Sequence, residues 1–295
     1  VEKVKNTKLY SYAKINLFLN IVSKRQNGYH DIQSVMQTVN IKDIIEIKYT
    51  DKGISISCDD ESIPVDSSNS VWKAASIIME RYGIEGGVSI DIKKTIPSGA
   101  GLAGGSGNAA AVIIGMNNLF TLEMTDDEMA EIAVKIGADV PYCLIGGTCI
   151  AEGIGEVLKR INDFTWDNIL IVKPEISIST AGVYGKVEKQ MYNRYEMSGI
   201  VKKISEMEFE KALSFTGNIL EDVVEEIHPE IRDIKNEMKS FNALLSMMTG
   251  SGSAVVGFFK NEKDLERCAE ALEKKYDKIY KTNTVRKGVE SCTIR

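Results

Sequence analysis

Pro97-Ser98-Gly99-Ala100-Gly101-Leu102-Ala103-Gly104-Gly105-Ser106-Gly107-Asn108-Ala109-Ala110-Ala111 is the stretch that decides how this chain folds. Five glycines fall between Gly99 and Gly107. Just upstream, Val88, Ile90 and Ile92 alternate with Ser89, Asp91 and Lys93, the period of a half-buried strand. Just downstream, Ala109 to Leu119 is largely apolar, interrupted only by Gly115, and reads as a helix. A glycine loop between strand and helix lets backbone N–H groups converge without side chains in the way. The helix N-terminus adds unpaired donors and the positive end of a dipole. That geometry suits a phosphate chain, and a ligand-free connection rarely needs so many glycines.

Gly99 to Gly104 also fits G-x-G-x-x-G, the dinucleotide fingerprint. That fold needs a second parallel strand after the helix, with an acid about 20 residues on. Glu123 sits near that distance, but the segment 121–136 contains no strand pattern. Instead, Thr125 and Glu128 form a capping box that starts another helix. No G-K-[S/T] closes the loop as in a P-loop, and the H-R-D and D-F-G motifs of protein kinases are absent.

The 295 residues suggest two domains or one large one, with an ordinary hydrophobic content of 43%. The net charge of −6 gives no electrostatic footprint for nucleic acid or an anionic membrane, so neither partner is expected. Five cysteines without a C-x-x-C pair read as reduced thiols, which points to a cytoplasmic location. His30 and His228 are the only histidines, too few for a multi-histidine metal site. No apolar run reaches membrane-spanning length, and the stretch up to Lys24 is unlike a signal peptide.

Outward from the loop, Tyr12 to Ile21 reads as a strand with Ile15, Leu17, Leu19 and Ile21 on one face. Lys14, Asn16, Phe18 and Asn20 take the other face. Asn27-Gly28 marks a turn, with strands expected at 31–40, 43–49 and 54–58. Helices are expected at 69–82, 108–120 and 126–136. The pattern shifts near residue 160, which divides the chain into segments 1–160 and 161–295. Beyond it come a strand at 168–172 and helices near 180–190, 201–214, 217–226 and 229–240. A second glycine cluster follows, Thr249-Gly250-Ser251-Gly252-Ser253, before the apolar run Ala254 to Phe259. A helix over 262–276 and a strand over 279–285 complete the reading.

Ala13-Lys14-Ile15-Asn16, the loop at 97–107 and the cluster at 249–253, in that order, resemble the GHMP kinase superfamily. Gly28-Tyr29-His30, Gln33-Ser34 and Gly137-Ala138-Asp139-Val140-Pro141 narrow the resemblance to its cytidyl-diphosphate-methylerythritol kinase branch. The resemblance covers nearly the whole chain. It implies an α+β, two-domain fold: an N-terminal domain like ribosomal protein S5 domain 2 and a ferredoxin-like C-terminal domain. It implies ATP and Mg²⁺ as cofactors, and phosphorylation of the 2-hydroxyl of a cytidyl-methylerythritol diphosphate in the non-mevalonate isoprenoid route. It assigns no metal ligands and allows a homodimer.

Residue by residue, the resemblance implies that Pro97 to Gly107, with Asn69 and Lys94, hold ATP. Ser106 adds a hydroxyl for a phosphate or Mg²⁺. Asp139 is the expected base for the attacking alcohol, with Lys14 to hold it ionised and stabilise the forming alkoxide. Their plain alternatives are a helix cap and a solvated lysine. Asn16, Tyr29, His30, Thr180 and Tyr184 are expected around the substrate, with Tyr29 and Tyr184 on either face of cytosine. The chain departs from the pattern at Gly107, where serine is frequent, and at Ala103, where glycine is. Tyr184 replaces an aromatic that is often phenylalanine. Rival readings are a relative acting on another small alcohol, a nicotinamide-dependent oxidoreductase and a non-catalytic nucleotide-binding regulator.

Overall fold

A computed structural model describes residues 6–292. Its strands are β1 (Asn6–Lys24), β2 (His30–Thr50), β3 (Gly53–Cys58), β4 (Gly87–Lys93), β5 (Thr148–Gly153), β6 (Val157–Arg160), β7 (Ile169–Lys173), β8 (Gly217–Asn218), β9 (Leu245–Met248), β10 (Val255–Phe258), β11 (Lys278–Thr282) and β12 (Val289–Ser291). Its α-helices are α1 (Ser70–Tyr82), α2 (Gly104–Phe120), α3 (Asp126–Ile136), α4 (Val140–Ile145), α5 (Thr180–Lys186), α6 (Met197–Ser205), α7 (Phe209–Ala212), α8 (Ile219–Ile227), α9 (Glu230–Ser240) and α10 (Glu262–Leu272).

β1 and β2 form a long antiparallel ribbon, joined by a turn in which Gly28 takes φ 89°. The strands expected at 31–40 and 43–49 are therefore one. β2 continues to β4 and then β3, while β5 and β6 branch from its first half. Two strands from late in the chain complete this sheet, β8 and β12, both paired to β1. The strict alternation expected along β1 fails at Leu17. The register slips between Asn16 and Phe18, so a bulge moves the following side chains across the sheet. Burial on both faces makes the slip tolerable: Tyr12 to Ile21 are all buried. Leu9 belongs to one core, Ile15 and Phe18 to a second, Leu19 and Ile21 to a third.

Helix α2 runs across the first sheet and is buried along Gly107 to Ile113. At Gly115 a Cβ would lie 2.5 Å from Ile47 Cδ1, so the glycine is what lets the helix settle on the sheet. The helix begins at Gly104, four residues earlier than expected, so Gly104 to Gly107 are its first turn and not loop. α3 starts as its capping box predicts: Glu128 N donates to Thr125 Oγ1 (3.2 Å) and Thr125 N to Glu128 Oε2 (2.9 Å). No strand separates α2 from α3, which removes the βαβ unit an oxidoreductase of the dinucleotide-binding kind requires.

The second sheet has the order β11-β7-β10-β9, antiparallel throughout. Counted along the chain, that is fourth, first, third, second. With α9 and α10 as its covering helices it is the ferredoxin-like arrangement. Ile231, Ile234, Met238, Leu265, Cys268 and Leu272 from these helices cover one face. Ile171, Val256 and Phe258 on the other face pack with Ile15 and Phe18 of β1. The single helix expected over 201–214 is broken. Met207 takes φ 59°, which ends α6 and turns the chain into the short α7.

Candidate active site

The two glycine loops meet across β1. Lys14 N donates to Leu102 O (3.1 Å), and Ala254 N to Ala100 O (3.2 Å). Gly101 has φ 75°, and a Cβ there would lie 2.4 Å from Thr249 O, so only glycine permits the approach. Thr249 Oγ1 accepts from Asn16 N at 2.8 Å. Asn218, at the start of α8, donates from Nδ2 to Met248 O (2.9 Å) and Gly250 O (2.8 Å). The second loop is thus tied to β1, α8 and the first loop at once. Asn218 was not singled out in the sequence and carries no local signal of this role.

Between the loops lies an open cleft of about 980 Å³. Pro97 to Ser106, Asn69, Lys94, Lys14, Asn16, Asp139, Tyr29, His30, Thr180 and Tyr184 all line it. Gly107 does not. Its amide already donates to Ala103 O (2.8 Å), and a Cβ there would lie 2.5 Å from Ser11 Oγ. Gly107 therefore serves helix-to-strand packing.

At the loop end of the cleft, the amides of Gly104, Gly105 and Ser106 open α2, and the helix dipole is positive there. A Cβ on Gly105 would meet nothing within 4 Å, so this residue borders open space. Ala103 caps the helix with φ 57°, a left-handed position, which explains why glycine would suit it. Lys94 is no surface lysine. Its ammonium pairs with Asp43, whose side chain is fully buried. Asp43 Oδ1 also accepts from Thr95 N (2.7 Å) and Ile96 N (2.8 Å), anchoring the chain as it enters the loop. Asn69 caps α1: its Oδ1 accepts from Val71 N (3.0 Å) and its Nδ2 donates to Pro64 O (2.6 Å). Both ends of its amide are therefore engaged in holding the start of α1 at the cleft wall.

At the centre, Lys14 Nζ donates to Asn16 Oδ1 (2.7 Å) and Gly101 O (3.0 Å), and stands 3.8 Å from Asp139 Oδ2. Asn16 Nδ2 passes the chain on to Ser34 Oγ (2.8 Å), which donates to Phe18 O (2.6 Å). The bulge at Leu17 leaves Lys14 and Asn16 on one side, where this relay forms. Asp139 precedes α4 but makes no side-chain cap bond, so the plain reading of it as a helix cap fails. A carboxylate with an ammonium beside it, half open to the cleft, can take a proton from an alcohol.

At the far end, His30 is 6% exposed and its Nε2 has no hydrogen-bond partner. Its ring lies 5.5 Å from that of Tyr184 and 6.3 Å from that of Tyr192. Burial, with the charge of Lys24, pushes the His30 imidazole below its ordinary pKa. Burial and the charge of Asp139 push the Tyr184 phenol up. Tyr29 sits on the rim, 58% exposed. Thr180 Oγ1 bonds Ser251 Oγ at 2.8 Å, tying α5 to the second glycine loop.

A ferredoxin-like domain on a larger sheet, with two glycine loops flanking a lysine–carboxylate pair, defines a small-molecule kinase. The GHMP kinases N terminal domain model matches residues 69–147 and the GHMP kinases C terminal model residues 200–278. The chain belongs to the GHMP kinase family and is an ATP-dependent small-molecule kinase. It is 42% identical over 292 residues to a 4-diphosphocytidyl-2-C-methyl-D-erythritol kinase of Clostridioides difficile (strain 630), covering 97% of both chains. A kinase of the same name from Acetivibrio thermocellus is 43% identical over 278 residues, covering 94% of this chain and 98% of the relative. Among solved structures, a 4-(cytidine 5'-diphospho)-2C-methyl-D-erythritol kinase matches with a TM-score of 0.81 at 27% identity. That match covers 94% of this chain and 98% of the other. A homoserine kinase from Cytophaga hutchinsonii, at 19% identity and a TM-score of 0.78, shares the fold.

Proposed function

We propose that this kinase transfers the γ-phosphoryl of ATP to the 2-hydroxyl of 4-diphosphocytidyl-2-C-methyl-D-erythritol. The observation that carries the reading is the Lys14–Asp139 pair, 3.8 Å apart, set between a helix N-terminus and the orphaned His30 Nε2. One end of the cleft suits phosphates and the other suits a base with hydrogen-bonding edges. The pair lies where the two would meet. The relatives' names supply the substrate.

Phosphoryl transfer depends mainly on positioning and charge stabilisation. The amides of Gly104 to Ser106 receive the phosphate chain at the positive end of α2, and Lys94, paired with Asp43, fixes the chain as it enters the loop. Asp139 accepts the proton of the 2-hydroxyl as the hydroxyl oxygen bonds to the γ-phosphorus and the bond from that phosphorus to ADP breaks. Lys14, 3.8 Å from Asp139, stabilises the alkoxide as it forms. His30 reads the cytosine edge, while Tyr184 and Tyr29 cover its faces. Among the described residues no group of three His, Cys, Asp or Glu side chains is arranged to hold a metal. Ser106 would help hold Mg²⁺, which when bound would neutralise phosphate charge.

Incubation with Mg·ATP and a panel of alcohols, following ADP release, tests the reading. ADP release with the cytidyl substrate, well above that with homoserine or mevalonate, is expected. Equal rates across the panel would sink the substrate assignment.

A further inference from the structure

Strand β9 is the outer edge of the second sheet, so one side of its backbone has no neighbouring strand. Thr249 N donates to Ala254 O at 2.9 Å, continuing the ladder with β10, so the backbone of Met248 just before it points the other way. Both polar groups of Met248 are nevertheless satisfied. Glu221 Oε2 accepts from Met248 N at 2.6 Å, and Asn218 Nδ2 donates to Met248 O at 2.9 Å. These two side chains, one capping α8 and one in its first turn, stand where a further strand would. Glu221 is 16% exposed, and its other oxygen pairs with Lys235 on α9, which also holds Glu225 at 2.5 Å. A largely buried carboxylate is an energetically costly acceptor for a single edge amide. The residues that follow Met248 give it a use.

The second glycine loop begins one residue on. A Cβ on Gly250 would lie 3.0 Å from Gly101 O and 3.3 Å from Asn16 Oδ1. Those are the two oxygens that accept from the Lys14 ammonium. Thr249 Oγ1 accepts from Asn16 N, and Asn218 holds Gly250 O. A shift of Met248 therefore moves the backbone packed against both supports of Lys14, and with it the 3.8 Å gap to Asp139. Glu221 itself does not line the cleft, so any effect on the reaction passes through the loop. We infer that Glu221 is a positioning residue for phosphoryl transfer, which clamps Met248 N and so sets the second glycine loop against the two oxygens that hold Lys14. This rests on the reading of the cleft as the site of phosphoryl transfer.

The test sets two variants of the full chain against the parent. Glu221→Asp keeps a charge for Lys235 but withdraws the oxygen from Met248 N by one methylene. Lys235→Met removes the charge partner and leaves the bond to Met248. Steady-state kcat and both KM values are measured with Mg·ATP and the cytidyl substrate, well below each melting temperature. Amide hydrogen exchange is followed in the peptide spanning 245–253. In Glu221→Asp, kcat should fall about 10–100-fold, the scale of a small misplacement remote from the chemistry, with both KM values nearly unchanged. Exchange in the peptide should quicken. Lys235→Met should lower the melting temperature and keep most of kcat. The inference is overturned if Glu221→Asp keeps the parental kcat, raises a KM alone, or leaves the exchange unchanged. It is overturned as well if Lys235→Met loses as much kcat as Glu221→Asp, because the ion pair and not the clamp would then set the rate. If Lys235→Met does not fold, the Glu221→Asp results decide alone. A parent that releases no ADP with this substrate would instead overturn the reading of the cleft, while the exchange measurement still tests the clamp.

Discussion

Lys14 Nζ lies 3.8 Å from Asp139 Oδ2, with the lysine side chain 6% exposed and the aspartate 34%. The ammonium is held from β1 by Asn16 and Gly101, and the carboxylate comes from the start of α4. Two elements distant in sequence thus bring a fixed cation to a carboxylate that still faces the cleft. Asp139→Asn keeps the shape and removes the base. Turnover should fall by about 10²–10⁴-fold, the range of a general-base contribution, with ATP affinity nearly unchanged. Steady-state kinetics with nucleotide titration checks this, and near-normal turnover refutes the base assignment.

Gly105 and Gly107 should separate binding from folding. Gly105→Val places methyl groups in open cleft space where phosphate must sit, so ATP binding should fail while the fold survives. Gly107→Val drives a side chain into Ser11 and the Tyr12 carbonyl, and should cost about 1–3 kcal/mol of stability by overpacking. Calorimetry and thermal melts on both variants decide it. A Gly105→Val protein that binds ATP normally would remove the loop from the phosphate site.

Ala103 holds a left-handed φ of 57° that costs an L side chain free energy. Ala103→Gly relieves that strain but loosens the unfolded chain. The net effect should be a gain of up to about 1 kcal/mol. A denaturant melt that shows a loss would mean the Ala103 methyl contributes packing that outweighs the strain.

His30 makes stability depend on pH with a defined sign. Its folded pKa lies below the ordinary 6.5 because burial and Lys24 disfavour the charged form. The unfolded chain then binds the proton more readily, so stability falls as pH drops below about 6.5 and the loss levels off below the folded pKa. His30→Gln should flatten that slope. Equal slopes in parent and variant, from melts between pH 7.5 and pH 5, would assign the dependence elsewhere.

How much of this was legible in the sequence follows from the range of the forces involved. Capping is local, so Thr125–Glu128 gave the start of α3 correctly. The glycine run marked the cradle, but its helical first turn was hidden because glycine has a low propensity for helix and the dipeptides read as loop. The bulge at Leu17 comes from pairing with β2, which no local pattern carries. The Asp43–Lys94 pair joins residues 51 apart in the chain, so the sequence offered Lys94 as an ATP contact without its buried acid partner. The partners of the second glycine loop, Asn16 and Asn218, are set by tertiary packing.

Cytosine differs from uracil in presenting an amine donor and a ring acceptor where uracil reverses both. A pocket built on His30 should therefore discriminate by about 10³–10⁵ in kcat/KM against the uridine analogue. Tyr29 is mostly solvent-exposed, so Tyr29→Ala should raise the KM for the cytidyl substrate alone, by the effect of about 1–3 kcal/mol of lost stacking. Comparable turnover of the two analogues would place base recognition outside this corner.

The most direct measurement is phosphorus NMR with mass spectrometry on the products formed from Mg·ATP and 4-diphosphocytidyl-2-C-methyl-D-erythritol. The account predicts ADP and one new phosphomonoester, on the 2-hydroxyl, in equal amounts, and almost none of either with Asp139→Asn. ADP without a new ester, an ester at another hydroxyl, or full product from the Asp139 variant would contradict it.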